Sequence, residues 1–368
     1  MSKHDGILSV KYVGVDLHST QFTCCFLGED GVQRSETYSV DEEGFRKFQG
    51  MVDANTYIMV EATKGSFKFW EIMHPHVREC LIANTYKLKL ISMVGKKTDK
   101  IDAEKLAKFL KMQIQSNEQL FRPVYVPEAE IQALRSLFAS YKFLNRQSTM
   151  TKNMIHALFK QQLLVIERRD LASQVGRRRI MEIPLPDFAA VQVKIMMDNL
   201  ESIEAQRSRI EDEIYKVGRK YEKQIDILTS INGISPLIAL ALMADIADVS
   251  RFPNAKHMTS YLRSVPDIDS SNNSTKILRT TKQGRKLSIT LLTQAIIHVR
   301  RANTNLLAWD QKKRGKKSAG RIRMAECRKT FVHIYHMLKN GEYYRFRQAN
   351  RHKVKMNEFR NRLIKLAA

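Results

Sequence analysis

The stretch VKYVGVDL, residues 10–17, decides the reading of the N-terminal third of the chain. Its β-branched and apolar residues predict a strand buried on both faces, and TQFTCCFL (20–27) reads as its hairpin partner. Gly28–Gly31 supplies a turn, a short strand follows over 36–40, and a helix is expected from Asp41 with acids in its first turn. TYIMVE (56–61) predicts another apolar strand, 66–79 a helix, CLIAN (80–84) a further strand, and DKIDAEKLAKFLKM from Lys100 onward a helix. A hairpin followed by strands alternating with helices predicts a mixed sheet flanked by helices.

Beyond Pro127 the character changes. Residues 128–168 hold neither Gly nor Pro and keep helical periodicity, and a second helical stretch is expected over about 187–221. There Met196, Leu200, Ile203, Ile210, Ile214, Val217 and Tyr221 recur at heptad-like spacing, interrupted by Arg207. Two long helices joined by RRDLASQVGRRR (168–179) predict an antiparallel coiled-coil stalk, its stripe a core or dimer seam. The segment from about 226 opens in a helix–turn–helix pattern, with Gly233 at the turn and Pro236 in the next first turn. Residues 264–284 read as a polar loop without regular structure, 285–300 as a helix and the remainder as a basic tail. The expected divisions are thus 1–125, 126–224, 225–310 and 311–368.

Charge is distributed unevenly. The net charge is +24, yet residues 1–110 carry 15 basic and 15 acidic side chains, whereas 311–368 carry 18 basic and 3 acidic. A segregated basic surface is the footprint of a polyanion, because each neutralised phosphate releases counterions. Lys282, Arg285, Lys312, Lys313, Arg314, Lys316 and Lys317 are the expected phosphate contacts. No apolar run approaches the roughly 18 residues needed to cross a bilayer. The N-terminus does not read as a signal peptide, and Cys24, Cys25, Cys80 and Cys327 have no zinc-site spacing. Reduced thiols and a cytoplasmic location are therefore expected.

Four acids carry the chemistry. Asp16 lies in an apolar strand, where a charge is costly unless used, and Glu61 ends another strand. Asp99 and Asp102, spaced i and i+3, fall on one face at a helix N-terminus. Gathered at one sheet edge, such carboxylates would repel one another unless a hard divalent cation, Mg²⁺ or Mn²⁺, neutralised them. Taken singly, Asp99 and Asp102 also suit helix capping, and Glu61 a strand end facing water.

The segments GVDLHS (14–19), VEAT (60–63) and KTDKIDAEKLA (97–107) resemble the DEDD motif of the IS110 family of bacterial insertion-sequence transposases, which includes the Piv-type DNA invertases. The resemblance implies a RuvC-like (RNase H-like) domain over roughly 10–125, with Asp16, Glu61, Asp99 and Asp102 as its acids. It further implies a helical C-terminal transposase domain with a helix-hairpin-helix-like segment, here LTSINGISPLIALALMADIAD (228–248), followed by a loop with a nucleophilic serine. In this chain the loop reads RSVPDIDSSNN (263–273) and then TTKQGR (280–285). Counting forward from Pro266, or back from Thr281, Lys282 and Gly284, puts that serine at Ser271.

The chain departs from the family pattern at several positions. Arg263-Ser264 stands for the usual Gly-Leu, Asn272 and Asn273 for glycines, Ser235 for a glycine of the hairpin and Arg285 for an asparagine. Without the resemblance, Ser270, Ser271 and Ser274 read as polar turn residues.

Cutting and rejoining of DNA by a metal-dependent acidic cluster and Ser271 is the implied activity. The acidic domain of one subunit would meet the serine domain of another in a homo-oligomer on DNA, and a structured guide RNA is an implied partner. A mobile-element transposase is preferred; alternatives are a Piv-type DNA invertase, a RuvC-like structure-selective nuclease that uses the acids and water, and a nucleic-acid-binding derivative without catalysis.

Overall fold

The computed structural model describes residues 12–84, 98–116, 122–271 and 274–367, with backbone alone for 268–271 and 274–279. Residues 10 and 11, Lys97, Asn272 and Asn273 of the segments quoted above lie outside the described residues. The chain divides into two compact units, 1–126 and 127–368.

In the first unit, β1 (Tyr12–Leu17), β2 (Gln21–Leu27), β3 (Gln33–Ser39), β4 (Tyr57–Glu61) and β5 (Glu79–Ala83) form one sheet in the order β3-β2-β1-β4-β5. The β1–β2 and β2–β3 pairs are antiparallel, while β1–β4 and β4–β5 are parallel. This is the mixed α/β arrangement expected of a RuvC-like domain.

All six residues of β1 are buried, because helices cover both faces of the sheet. One face, carrying Val13, Val15, Phe22, Phe26, Ile58 and Val60, packs with Phe48 of α1 (Glu42–Gln49) and Phe69 of α2 (Ser66–Met73). Asp41 caps α1, accepting from the Gly44 N–H at 2.7 Å. The opposite face, with Tyr12, Cys25 and Met59, lies under Ala103, Leu106, Ala107 and Leu110 of α3 (Asp99–Gln115). The four cysteines are free, buried thiols.

The second unit is built on two long helices, α4 (Ala129–Gln161) and α6 (Asp187–Gly218), joined through a short helix α5 (Gln174–Met181). Lys220 pairs with Glu128 and Glu130, Arg207 with Asn145, and Glu204 with Lys152, so the two helices run antiparallel. Of the heptad-like stripe, Leu200, Ile203, Ile214 and Tyr221 are buried. Ile155, Leu158 and Phe159 close with Ile180, Val193, Met197 and Leu200 into a small separate core at the connector end.

The main core surrounds α8 (Pro236–Ile246), which follows α7 (Glu222–Thr229) and is buried on nearly every side. Around it pack α9 (Ala255–Tyr261), α10 (Leu287–Ala302), α11 (Thr304–Lys313), α12 (Ala319–Asn340) and α13 (Ala349–Ala367). Gly233, in the turn between α7 and α8, has φ +89°, and a Cβ there would stand 2.7 Å from the His298 Cβ of α10.

Two sequence expectations change. Residues 264–284, read as an irregular loop, contain a hairpin of β6 (Pro266–Ser271) and β7 (Ser274–Thr280). Its backbone ladder forms without an apolar run. The basic stretch 311–368, read as a tail, contributes Cys327, Phe331, Ile334, Tyr335, Met356 and Phe359 to the main core. Apolar residues at helical spacing were hidden there by the density of Lys and Arg. Among the described residues no helix is long and apolar enough to cross a membrane.

Candidate metal centre and serine hairpin

β1 and β4 run parallel with Val15 opposite Val60, so Asp16 and Glu61 follow the last pair, Asp16 one residue before the end of β1 and Glu61 at the end of β4. The α3 helix crosses β1 at Gly14 and is oriented so that its first turn lies toward Asp16. A Cβ on Gly14 would stand 2.0 Å from the Ala103 carbonyl and 2.3 Å from the Ala107 nitrogen. That absent side chain lets the helix descend until Asp99 and Asp102 reach the strand end. Thr98 caps α3 by accepting from the Ile101 N–H at 3.3 Å.

His18, two residues beyond Asp16, completes the cluster. Its Nε2 lies 3.3 Å from Asp16 Oδ2 and 3.5 Å from Asp99 Oδ1. Ligand atoms of Asp16, His18 and Asp99 all fall within 4.8 Å of one another. Burial raises the pKa of the Asp16 carboxyl above its ordinary value; His18 opposes the rise, and the charges of Asp99 and Asp102 add to it. Lys105 Nζ is 3.9 Å from Asp102. Two carboxylates and an imidazole, with the Asp102 charge acting on Asp16, match the donor chemistry of Mg²⁺ or Mn²⁺, and the nitrogen ligand inclines the set toward Mn²⁺. Glu61, the fourth expected acid, ends β4 and is not part of this group. Sequence reasoning passed over His18. The signal was present, because residues i and i+2 of an extended chain share a face.

The predicted serine lies in the second unit. Ser271 ends β6, and its backbone is in register with Ser274 across the hairpin. The hairpin base is held at both ends. Arg263 adopts φ +55° at the position where the family has glycine, and its Nε donates to the Gly284 carbonyl at 2.7 Å. Gly284 has φ +92°, and a Cβ there would stand 2.2 Å from the Tyr261 carbonyl. That carbonyl accepts the Arg285 N–H at 2.8 Å.

Asp245 at the end of α8 is wholly buried. It accepts from Arg285 Nε at 2.9 Å and from the Ser288 N–H and Oγ at 2.8 and 2.9 Å. These bonds anchor the strand returning from the hairpin, a role that the sequence pattern did not single out.

Of the expected phosphate contacts, Lys282, Lys312, Lys316 and Lys317 are exposed and Lys313 is half-buried. Arg285 is engaged with Asp245, and Arg314 donates through Nε to Asp310 at 2.8 Å. Another basic residue points inward. Lys355 of α13 donates to the carbonyls of Thr229, Ile231 and Ile234, which closes the turn between α7 and α8.

Residues 13–163 match a family model described as a transposase, of the IS110 DEDD type, and residues 225–309 match one described as the IS116/IS110/IS902 transposase family. Together the two segments cover more than half of the chain, and each coincides with one of the sites described above. The chain belongs to the IS110-type transposases and invertases. It is similar to a probable family 20 transposase of Pseudomonas aeruginosa, 26% identical over 202 residues, which covers 54% of this chain and 58% of the relative. It is also similar to the pilin gene-inverting proteins of Moraxella bovis and Moraxella lacunata. Each is 22% identical over 271 residues, covering 70% of this chain and 73% of the relative.

Proposed function

We propose that this protein is a DNA transposase or site-specific recombinase that cuts and rejoins strands, using a divalent metal at the acidic cluster and Ser271 as nucleophile. The observation that carries the reading is the approach of α3 over Gly14, which brings Asp99 and Asp102 to the buried Asp16, where His18 already lies beside it. Burial raises the pKa of Asp16 and the charges of Asp99 and Asp102 add to it, so an ionised carboxylate there is costly unless a cation uses it.

Asp16, Asp99 and His18 would hold the metal, with Asp102 and Glu61 as the other expected acids. When bound, it supplies charge neutralisation for phosphoryl transfer. The Ser271 hydroxyl attacks a DNA phosphorus, loses its proton to a general base and displaces one sugar oxygen, which leaves as a hydroxyl. The phosphoserine diester conserves the bond, and attack by another sugar hydroxyl releases the serine and reseals a strand. The clasp from Arg263 to Gly284 positions the hairpin that carries Ser271.

A homo-oligomer acting on DNA in the bacterial cytoplasm, with a structured guide RNA on the basic surface, follows from the family resemblance. Inversion of a DNA segment is the second reading, favoured by the longer coverage of the pilin gene-inverting proteins.

The test uses the purified full chain with labelled DNA that carries the ends of its own genetic element. Asp16→Asn abolishes metal-dependent strand exchange and lowers Mn²⁺ binding measured by electron paramagnetic resonance. Ser271→Ala keeps Mn²⁺ binding and loses the covalent protein–DNA adduct. Strand cleavage by Ser271→Ala at the wild-type rate would replace this reading with a nuclease that uses water.

A further inference from the structure

A concavity of about 420 Å³ opens between α11, α12 and the segment that links α12 to α13, lined by none of the residues of the two sites described above. Its lining combines aromatic faces with cations. Trp309 comes from α11, His333 from α12, and Tyr344 and Phe346 from the linking segment. Lys329 Nζ lies 5.1 Å from the centre of the Trp309 ring, and the Arg345 guanidinium 4.7 Å from that of Phe346. Among the described residues that line it, none is acidic.

The pocket is also built rather than incidental. Tyr344 is buried, its hydroxyl accepts from the Asn303 side chain, and its N–H donates to Ser230 Oγ at 2.9 Å. Asn303 in turn caps α11, accepting from the Leu306 N–H at 2.9 Å. The Tyr344 ring is therefore fixed by two separate parts of the core, and it meets His333 edge-on at 5.8 Å and Phe346 at 5.7 Å. Burial, together with the neighbouring charges of Arg345, His336 and Lys329, lowers the pKa of His333, so its ring is neutral at physiological pH.

Aromatic faces beside cations, with the Asn305 and Thr330 side chains in the lining and no carboxylate among its described residues, match one ligand chemistry. An unpaired nucleobase stacks on the rings while its flanking phosphates meet the cations. An acidic peptide would satisfy the cations but leave the rings uncovered. A duplex would meet the cations with its phosphates but leave the rings uncovered, because its bases stay stacked on one another.

We propose that this pocket takes an unpaired base of single-stranded nucleic acid, with Trp309 as the principal stacking face and Lys329 and Arg345 on the adjacent phosphates. The inference rests on nucleic acid being the partner, as proposed above, but on no step of strand exchange.

The chain holds two tryptophans, so a Trp70→Phe background isolates Trp309 fluorescence. The full chain is titrated with an eight-residue oligothymidylate, an oligouridylate of the same length, an abasic oligonucleotide with the same phosphates, and an eight-base-pair duplex. The two base-bearing single strands quench Trp309 and bind more tightly than the abasic strand, and the duplex leaves Trp309 unquenched. Tighter binding of the ribo strand than the deoxy strand identifies RNA as the source of the base, and the reverse identifies DNA.

Trp309→Ala weakens binding of the base-bearing strands about five- to hundredfold and leaves the abasic strand unchanged, while Trp309→Phe restores most of the loss. Lys329→Ala weakens all single strands and lowers the salt dependence by about one charge. Circular dichroism and melting of each variant separate these effects from misfolding. Equal affinity for abasic and base-bearing strands, or unquenched Trp309 on saturation, overturns the base pocket while leaving phosphate-driven binding in place. Absence of binding by every oligonucleotide overturns the pocket and the nucleic-acid partner together.

Discussion

Arg263 Nε donates to the Gly284 carbonyl at 2.7 Å, tying the residue before the serine hairpin to the one that follows it. Both residues have positive φ, but only Gly284 is also crowded. Gly284→Ala sets a methyl 2.2 Å from the Tyr261 carbonyl in a left-handed backbone and costs about 2–4 kcal/mol. Arg263→Gly removes backbone strain worth about 1 kcal/mol together with a hydrogen bond of similar worth, so its net effect is near zero. Chemical denaturation checks both, and equal destabilisation by the two variants would contradict the clasp.

Asp245 makes a sharper demand. Asp245→Ala leaves Arg285 and two donors of Ser288 without their buried partner, at a cost of about 3–5 kcal/mol. Asp245→Asn keeps an acceptor and lies between wild type and Ala. Thermal melting of the three proteins gives the order, and Asn and Ala variants melting together would show that the charge and acceptor are both dispensable.

The close passage of α3 over β1 is tested at Gly14. Gly14→Ala forces Ala103 and Ala107 away and costs about 3 kcal/mol or more. It also parts Asp99 from Asp16, so the surviving folded protein binds Mn²⁺ more weakly. Unchanged melting and Mn²⁺ affinity would mean that α3 does not lie on Gly14.

Lys355 is the cation of the basic C-terminal stretch that the core uses. Burial pushes its pKa down to about 8, so at pH 7 the ammonium is still charged and its three N–H bonds meet three carbonyls. Lys355→Met keeps the volume, removes the donors and lowers stability at pH 7 by about 2 kcal/mol. Faster amide exchange at Ile231–Ile234 is the accompanying signature, and its absence would free the turn from α13.

Glu326 supplies the pH dependence. Its side chain is fully buried, Arg300 reaches one oxygen at 3.4 Å, and the other has no hydrogen-bond partner among the described residues. Burial raises its pKa above the ordinary glutamate value, and Arg300 moderates the rise. An acid with a raised folded pKa contributes stability below its unfolded pKa of 4.5 and loses it as pH climbs through the folded value. Glu326→Gln is therefore more stable than wild type at pH 8 and similar at pH 4.5. Melting curves at the two pH values check the sign, and a parallel loss at both would refute it.

Much of the acidic half was legible in the sequence, because an aspartate in VKYVGVDL and the DKID pair at a helix start are local patterns. Local patterns also gave the strand order its hairpin beginning and located the two long helices, although the first ends at Gln161 rather than near residue 168. His18 was missed through emphasis on carboxylates alone. The hairpin of β6 and β7 was missed because a polar ladder carries no hydrophobic period, and α12 and α13 because their apolar stripes are diluted by Lys and Arg.

By itself the sequence determined the elements of the first unit, where the charge gathers and which residue types carry the chemistry, since propensity, periodicity and charge are properties of neighbours along the chain. Tertiary structure alone decided that Gly14 admits α3 to Asp16, that Asp245 and Arg263 fasten the two ends of the serine hairpin, and that Lys355 turns inward. Each of these relationships joins residues distant in sequence through steric contact or a buried hydrogen bond, and neither is encoded in any local window.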